Sequence, residues 1–246
     1  MGWVLENLAE FVSVTAGRPG RVDRVDGGLL VSSPVPVANG YFNAAFPRGT
    51  VRHAEFLDRA ASFFSESGSP FVLWAPEDDT DLLAAAASRS ASGTPDCSPQ
   101  MVTDVPLPTR SDVAVREVVS DADRVLLSGL CEEGYGISGL AWILDHHDAF
   151  SAPGTTWAIA YDDDAPLGVG CSFSHGSTGG VYYIATPPRS ARRGAASAVT
   201  TWLTNELVAN GIEQVTLQAS DAGLPVYERL GFEHQVRLHR FTFETC

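Results

Sequence analysis

Three segments in the first hundred residues carry apolar side chains at helical spacing. The clearest is residues 52–66, whose apolar residues follow the i, i+1, i+4, i+7 and i+8 spacing of one buried helix face. Helices are also predicted at about residues 3–15 and from about Asp79 to Ser92. Short apolar runs of strand length lie between them, at residues 27–33, 39–46 and 70–76. The first part of the chain is therefore expected to mix helices and strands.

Residues 95–112 interrupt this pattern with a concentration of Pro, Ser, Thr and Asp. Pro106 and Pro108 flank a single leucine, and prolines disfavour both a helix interior and a central strand. We therefore expect a boundary here, with one domain over residues 1–108 and a second domain over residues 109–246.

After this boundary, three consecutive apolar or alternating segments read as strands, at residues 155–164, 166–176 and 179–188. The longest helix is predicted at about residues 193–210, and Gly211 supplies its C-terminal stop. Its expected buried face consists of Ala195, Val199, Trp202, Leu203 and Leu207. The other predicted elements are a strand at 113–119, helices at 120–134, 139–150 and 223–231, a strand at 213–220 and one or two closing strands at 232–243. This order predicts an α/β fold in which helices flank a mixed sheet.

The charge of the chain restricts the ligands that we expect. The 246 residues include 16 basic and 30 acidic side chains, a formal net charge of −14, and every basic residue is arginine. The missing lysine excludes Schiff-base chemistry, a pyridoxal-phosphate linkage and the lysine-dependent phosphate-binding loop. Nucleic acid is not expected as a partner, because that affinity comes largely from Lys and Arg on phosphates. The acidic balance favours a cationic substrate or simply confers solubility, and arginine usage also fits a GC-rich genome.

The cysteines and the first residues of the chain indicate the cellular compartment in which we expect the protein. The four cysteines are at positions 97, 131, 171 and 246, without the paired spacing of a zinc site or a disulfide framework. Glu6 and Glu10 lie where a signal peptide is apolar, and no apolar stretch approaches about 20 residues. We expect a soluble, metal-free protein of the reducing cytoplasm, without a membrane partner.

The most specific chemical pattern joins a predicted strand to the start of the long helix, in ATPPRSARRGAAS at residues 185–197. A helix start has about four N–H groups without an intrahelical partner and a partial positive charge. Gly194, Ala195 and Ala196 leave room for a ligand near the backbone. Positive charge is added by Arg189, Arg192 and Arg193. The segment fits a pyrophosphate, and the alternative is an ordinary turn with solvated arginines.

Together with LQAS at 217–220 and VYERLGF at 226–232, this segment resembles the GCN5-related N-acetyltransferases (GNAT). The family's acetyl-CoA loop has a Gln/Arg-x-x-Gly-x-Gly/Ala signature, in which Gly194 matches the fixed glycine and Ala196 the final small residue. Ala191 departs from the usual Gln or Arg. The resemblance covers residues 113–243 and implies a GNAT fold, acetyl-CoA as cosubstrate, and transfer of acetyl to a small amine.

The resemblance also implies roles for individual residues. The family holds the coenzyme where two parallel strands splay apart, here the strand ending at Thr186 and the strand at 214–219. Its pantetheine arm would pair with the backbone of Ile184, Ala185 and Thr186, and the N–H of Ile184 or Ala185 would stabilise the oxyanion. Tyr227 matches the acid that meets the departing thiolate, and the alternative is a tyrosine that only packs its helix. The remaining expected coenzyme contacts are Arg192, Arg193, Gly194, Ala195, Ala196, Ser197 and Ser220, with Asp221 beside them.

The general base is left open by the sequence, because the strand at 179–188 has no carboxylate where many relatives carry glutamate. Asp145, His146 and His147 form a titratable cluster in the region that usually walls the acceptor pocket. A solvated helix end is the alternative for that cluster. His175 is expected to be exposed.

The order of elements in residues 1–108 resembles a degenerate second copy of the same fold, with an unrelated cap as the alternative. We expect no arginine-glycine loop there and therefore one coenzyme per chain.

A catalytically silent acyl-CoA-binding module is the rival function, motivated by Ala191 and the missing glutamate. A dinucleotide-binding oxidoreductase is discounted, because Gly168 and Gly170 lie inside an apolar strand rather than a turn. A homodimer is left open.

Overall fold

The computed structural model describes residues 2–18, 20–36, 39–49, 52–90, 95–109 and 112–244. Its helices are α1 (Gly2–Thr15), α2 (His53–Ser65), α3 (Thr80–Ala87), α4 (Asp121–Tyr135), α5 (Leu140–His146), α6 (Ala195–Ala209) and α7 (Leu224–Leu230). Its strands are β1 (Arg21–Val25), β2 (Gly28–Ser32), β3 (Asn43–Pro47), β4 (Phe71–Pro76), β5 (Asp96–Thr103), β6 (Ala114–Glu117), β7 (Thr155–Asp162), β8 (Ala165–His175), β9 (Thr178–Ala185), β10 (Gln214–Gln218) and β11 (Glu233–Phe243). The predicted α/β fold with a mixed sheet is confirmed.

The chain divides into two compact units. The first contains Met1–Gln100 with Gln235–Cys246, and the second contains Met101–His234. The first unit therefore includes most of β11, which lies near the end of the sequence. The last residues of β5 belong to the second unit. These units begin and end at other residues than the predicted domains, whose limits stay a prediction.

In the first unit the strands follow the order β1, β2, β3, β4, β11. β3 and β4 are parallel, and the other neighbours are antiparallel. The apolar face of α2, predicted from its spacing, packs on this sheet through stacked rings. Phe64 stacks on Phe71 with centroids 4.3 Å apart, and Phe71 stacks on Phe243 at 4.8 Å. Burial of each such ring contributes about 1.5–3 kcal/mol, so β11 is held to β4 by side chains as well as by backbone.

In the second unit the strands follow the order β10, β9, β8, β7, β6. β9 and β10 are parallel, whereas β6 to β9 form an antiparallel series. A core cluster that includes Val199, Leu203 and Leu207 of α6 lies between this helix and the sheet. The order strand, helix, parallel strand, helix occurs in both units, as β3, α2, β4, α3 and as β9, α6, β10, α7.

Two expectations about local structure are wrong. β5 runs through Pro99, although the prolines of residues 95–112 were expected to keep this stretch out of a strand. A proline removes only one N–H from a ladder, and most of the residues from Ser98 to Thr103 are buried. α3 ends at Ala87 rather than near Ser92, because the serines that follow compete for backbone groups, and Ser88 Oγ donates to the carbonyl of Ala85 at 2.8 Å. The expected stop at Gly93 lies outside the described residues.

Of the described helices, none is long and apolar enough to cross a membrane. Cys97, Cys131 and Cys171 carry free thiols, and Cys246 lies outside the described residues. Burial raises the pKa of Cys131 to about 12, so this thiol is inert at neutral pH. Within the described ranges, His, Cys, Asp and Glu form no group of three or more that could hold a metal.

Candidate active site

The expected anion loop lies directly before α6. Gly194 is the N-cap residue with φ of 83°, a left-handed conformation that favours glycine, and no side chain caps the helix. Ala195 is buried, whereas Ala196 and Ser197 are half-buried and follow in the first turn. The first N–H groups of α6 are thus not covered by a capping side chain, which is the arrangement that an anion needs.

The three arginines of this loop do not contribute equally. Arg189 Nε lies 3.0 Å from Glu133 Oε1, and Arg193 pairs with Asp162. Arg192 is exposed, with φ of 63°, and forms no ion pair within the described residues. The positive charge expected of all three arginines is therefore partly neutralised, and Arg192 is the cation with its charge uncompensated.

The end of β9 and the start of α6 meet at a glycine of β8. A Cβ atom on Gly168 would lie 3.0 Å from the carbonyl oxygen of Ala185, 3.1 Å from the Ala195 Cβ and 3.1 Å from Thr186 Oγ1. The structure therefore brings the expected pantetheine strip, Ile184 to Thr186, next to the expected phosphate loop. Gly134 of α4 approaches the same strip, since a Cβ there would lie 2.9 Å from the Ala185 Cβ and 3.0 Å from the Thr186 nitrogen. From the sequence, Gly134 was expected only to end a predicted helix, so this close approach was missed.

β9 and β10 separate before β9 ends. Their residue pairs run from Gln214 with Thr178 to Thr216 with Gly180, and β9 continues to Ala185. In the described register, β9 pairs with β10 as far as Gly180, whereas its pairing with β8 continues to Ala185. An extended ligand arm could form strand-like hydrogen bonds along the end of β9, at Ile184 to Thr186.

A β-bulge, which was not predicted from the sequence, distorts β9 at this point. Cys171 pairs with Tyr182 and Val169 with Ala185, so two residues, Tyr183 and Ile184, lie opposite Gly170. Tyr183 has φ of 53°, a strained conformation for a bulky residue. β-Bulges are common beside active sites, where they redirect side chains and backbone groups.

Tyr227 and Ser220 come together at the start of α7. A Cβ on Gly223 would lie 3.0 Å from Tyr227 Cε2 and 3.2 Å from Ser220 Oγ. Tyr227 is 9% exposed and belongs to the core cluster that contains Ala195, and Ile184 packs against the same cluster. Its ring therefore has a packing role, whatever its hydroxyl does. Asp221 and Ser220 are exposed.

The titratable cluster near the end of α5 separates into exposed and buried parts. Asp145 and His146 are exposed, and the His146 ring stacks on Trp142 with centroids 4.8 Å apart. His147 is 1% exposed, and burial together with the nearby His146 lowers its pKa to about 4. The histidine at 147 is neutral at physiological pH but enclosed in the fold. The expected exposure of His175 is confirmed.

The first unit does contain an arginine-glycine pair before a helix, so the expectation that it has none is wrong. Arg48 and Gly49 follow β3 and precede α2, and Gly49 has φ of 70°. A cavity of about 790 Å³ lies beside them, and its charged lining residues are Glu6, Arg48, His53, Asp78, Asp79 and Asp81. Acidic groups outnumber basic groups in this lining, which opposes the binding of a pyrophosphate.

Comparison with known proteins shows which family these features resemble. Residues 146–241 match the family model described as the acetyltransferase (GNAT) domain. A search of curated proteins found no match. The solved structures with similar folds include a GCN5-related N-acetyltransferase from Kribbella flavida, with 13% identity, a TM-score of 0.72, and coverage of 99% of this chain and 96% of that chain.

Two further solved structures have folds similar to that of this chain. A tandem GNAT protein from the clavulanic acid biosynthesis pathway has 12% identity and a TM-score of 0.62, with coverage of 97% of this chain and 95% of that chain. A GCN5-related N-acetyltransferase from Sphaerobacter thermophilus has 14% identity and a TM-score of 0.61, with coverage of 98% and 93%. At these identities the structural likeness shows the fold alone. The chain has the fold of the GCN5-related N-acetyltransferases, and its residues 146–241 are similar to the GNAT domain.

Proposed function

We propose that this chain transfers the acetyl group of acetyl-CoA to a small amine by direct attack on the thioester. The observation that carries the proposal is the junction at Gly168, where the end of β9, beyond its register with β10, meets the small-residue start of α6, which no side chain caps. This junction offers backbone partners for an extended arm and N–H donors for a pyrophosphate at adjacent places. The GNAT family uses acetyl-CoA in this kind of reaction.

The proposed coenzyme contacts divide between these two places. The N–H groups of Arg193 to Ser197, with the Arg192 guanidinium, would hold the pyrophosphate. The backbone of Ile184, Ala185 and Thr186 would hold the pantetheine arm. Ser220, which lies between β10 and α7, would also contact the coenzyme.

The chemistry needs a neutral amine nitrogen to attack the thioester carbonyl, an oxyanion donor, and a proton for the departing sulfur. The N–H of Ile184 or Ala185 is the proposed oxyanion donor, because the bulge beside it reorients the local backbone. The amine loses one proton as the C–N bond forms, and the thiolate gains one as the C–S bond breaks. We propose the Tyr227 hydroxyl as the donor to the thiolate. Water is the proposed proton acceptor for the amine, since His147 is enclosed in the fold.

The direct test is release of the coenzyme A thiol from acetyl-CoA in the presence of a panel of small amines. Amine-dependent thiol release supports an enzyme. Tight binding of acetyl-CoA without release by any amine would instead support the catalytically silent acyl-CoA-binding module, which Ala191 and the missing glutamate of β9 favour.

Tyr227→Phe tests the proposed acid, because the substitution keeps the ring in the core and removes only the hydroxyl. General acid catalysis contributes typically about 10²–10⁴-fold, so kcat should fall by about that factor while acetyl-CoA affinity changes little. The measurement is turnover at saturating acetyl-CoA, with a thermal melt of the same preparation. Tyr161→Phe is a matched control, because Tyr161 is also 9% exposed and lies on β7 with its ring against Arg116. Unchanged turnover in Tyr227→Phe would reduce Tyr227 to a packing residue.

A further inference from the structure

Two aromatic rings adjoin the strip at which the thioester is proposed to lie. The ring of Tyr135, at the end of α4, meets the ring of Tyr183 edge to face, with centroids 6.4 Å apart. The Tyr135 hydroxyl donates to the carbonyl oxygen of Ile184 at 3.3 Å. This pair is therefore continuous with the backbone of the proposed reaction site.

The bulge determines which face of the sheet each side chain reaches. Ile184 points toward α6, since a Cβ on Gly170 would lie 2.4 Å from Ile184 Cδ1 and 2.6 Å from Val199 Cγ1. Tyr183 instead meets the rings of Tyr135 and Trp157, the latter at 5.5 Å. Adjacent residues of β9 thus lie on opposite faces, and the Tyr183 ring lies on the face that α4 covers.

The ring of Tyr183 packs against the buried ring of Trp157. Trp157 is 3% exposed, its ring lies 4.9 Å from that of Phe150, and its Nε1 donates to the carbonyl of Ala149 at 3.3 Å. Tyr183 itself is half-buried, and Tyr135 is 43% exposed. Large exposed apolar residues that occur singly need no explanation, but a supported pair of accessible rings beside a strained backbone does.

The backbone of Tyr183 is also strained. A non-glycine residue in the left-handed region costs about 1–3 kcal/mol and persists only where surrounding contacts enforce it. An oxyanion donor alone needs only backbone, so the strain at this position does not explain why the residue is a tyrosine. A ring that must project toward an aromatic ligand does explain it.

Resting on the proposed function, we propose that the acceptor is an amine with an aromatic body, and that Tyr135 and Tyr183 select it. A flat ring stacks offset or edge to face with these side chains, and the electron-rich ring faces also attract the ammonium form in which the amine arrives. The Tyr135 hydroxyl is a positioning group, because it fixes the ring against Ile184. A saturated body of equal size would gain the apolar contact but not the aromatic one.

The test compares three amines with wild-type enzyme: 2-phenylethylamine, 2-cyclohexylethylamine and ethanolamine. We expect kcat/KM to be highest for 2-phenylethylamine. In Tyr135→Leu, the KM for 2-phenylethylamine should rise about three- to tenfold, which is the size of an aromatic pair interaction, while kcat and the KM for the cyclohexyl amine change little. Tyr135→Phe keeps the ring and should retain most of the preference.

A control variant separates selection from general surface effects. Trp142→Leu removes an aromatic ring that is 60% exposed on α5 and stacks on His146, and it should leave the preference unchanged. Because Tyr183→Leu also removes a ring that touches Trp157, its thermal melt must accompany its kinetics.

The outcomes distinguish this inference from the proposed function. If wild type acetylates ethanolamine or the cyclohexyl amine as well as the phenyl amine, the aromatic preference is wrong and the acetyltransferase proposal stands. If acetyl-CoA binds and no amine is acetylated, both are overturned. If the preference exists but Tyr135→Leu and Trp142→Leu weaken it equally, the assignment to Tyr135 is wrong.

Discussion

The loop after β3 and the loop after β9 occupy the same place in the chain order, yet the helices that follow them begin with residues of different chemistry. After β9, the helix starts with small residues, Gly194 to Ser197. After β3, α2 starts with His53, and its first turn contains Glu55, paired with Arg52 at 2.9 Å. A carboxylate in the first turn occupies the place where an anion would be stabilised. We therefore expect that a glycine and an arginine before a helix are insufficient for a phosphate site.

The arginines differ in how firmly they are held. Arg48 Nη2 lies 2.8 Å from Glu10 Oε1, and the Glu10 side chain is only 8% exposed. Hydrogen bonds from Arg24 and Arg48 lower the pKa of Glu10 to about 2, against the opposing effect of burial. In the other loop, Arg193 and Asp162 are 43% and 56% exposed. An exposed pair is worth about 0–1 kcal/mol, so a phosphate can displace Asp162 far more easily than it can displace Glu10.

The largest expected effect separates the two glycines. Gly194→Asp should weaken acetyl-CoA binding at least a hundredfold, because it places a carboxylate and a strained φ at the phosphate loop. Gly49→Asp is the matched control, since Gly49 also has positive φ and its substitution meets no atom within 4 Å. Calorimetry with acetyl-CoA measures both variants. Equal loss of affinity in the two would show that the loops are not distinct.

Glu10→Gln should destabilise the first unit and leave coenzyme binding intact. The folded pKa of Glu10, about 2, lies below its ordinary 4.5, so its contribution is present above about pH 4.5 and is lost as the pH falls toward 2. The shift corresponds to about 3 kcal/mol at neutral pH.

Denaturant unfolding of wild type and Glu10→Gln between pH 2 and pH 7 checks this effect. The difference in stability should be largest at pH 7 and should vanish near pH 2. A difference that does not depend on pH would mean that the carboxylate charge is not what stabilises Arg24 and Arg48.

The smallest expected effect distinguishes two neighbouring arginines. Arg192→Ala should weaken acetyl-CoA binding about fivefold, because this cation has no ion pair within the described residues. Arg193→Ala should weaken it only about twofold, since Asp162 already offsets much of its charge. Titration at low and moderate salt measures both, and the difference should shrink as salt increases. A larger loss of acetyl-CoA affinity in Arg193→Ala than in Arg192→Ala would show that Arg193, not Arg192, is the main cation at the phosphate loop.

The sequence predicted those features that depend on local pattern. Apolar periodicity predicted α2 and α6, and the predicted start of α6 at about residue 193 lies beside the observed N-cap at Gly194. The bulge at Tyr183 was not predictable, because it depends on how β9 pairs with β8. The pairing of Arg48 with Glu10 joins residues 38 apart in sequence, and only the fold brings them together. Local pattern therefore predicted the position of the candidate site, whereas tertiary contacts decide which arginines remain available for a ligand.

The most direct test of this account is the stoichiometry of acetyl-CoA binding to the wild-type chain. Isothermal titration calorimetry should give one coenzyme per chain, and the single site should disappear in Gly194→Asp. A stoichiometry near two, or a single site that survives in Gly194→Asp and disappears in Gly49→Asp, would contradict the claim that only the loop before α6 holds the coenzyme.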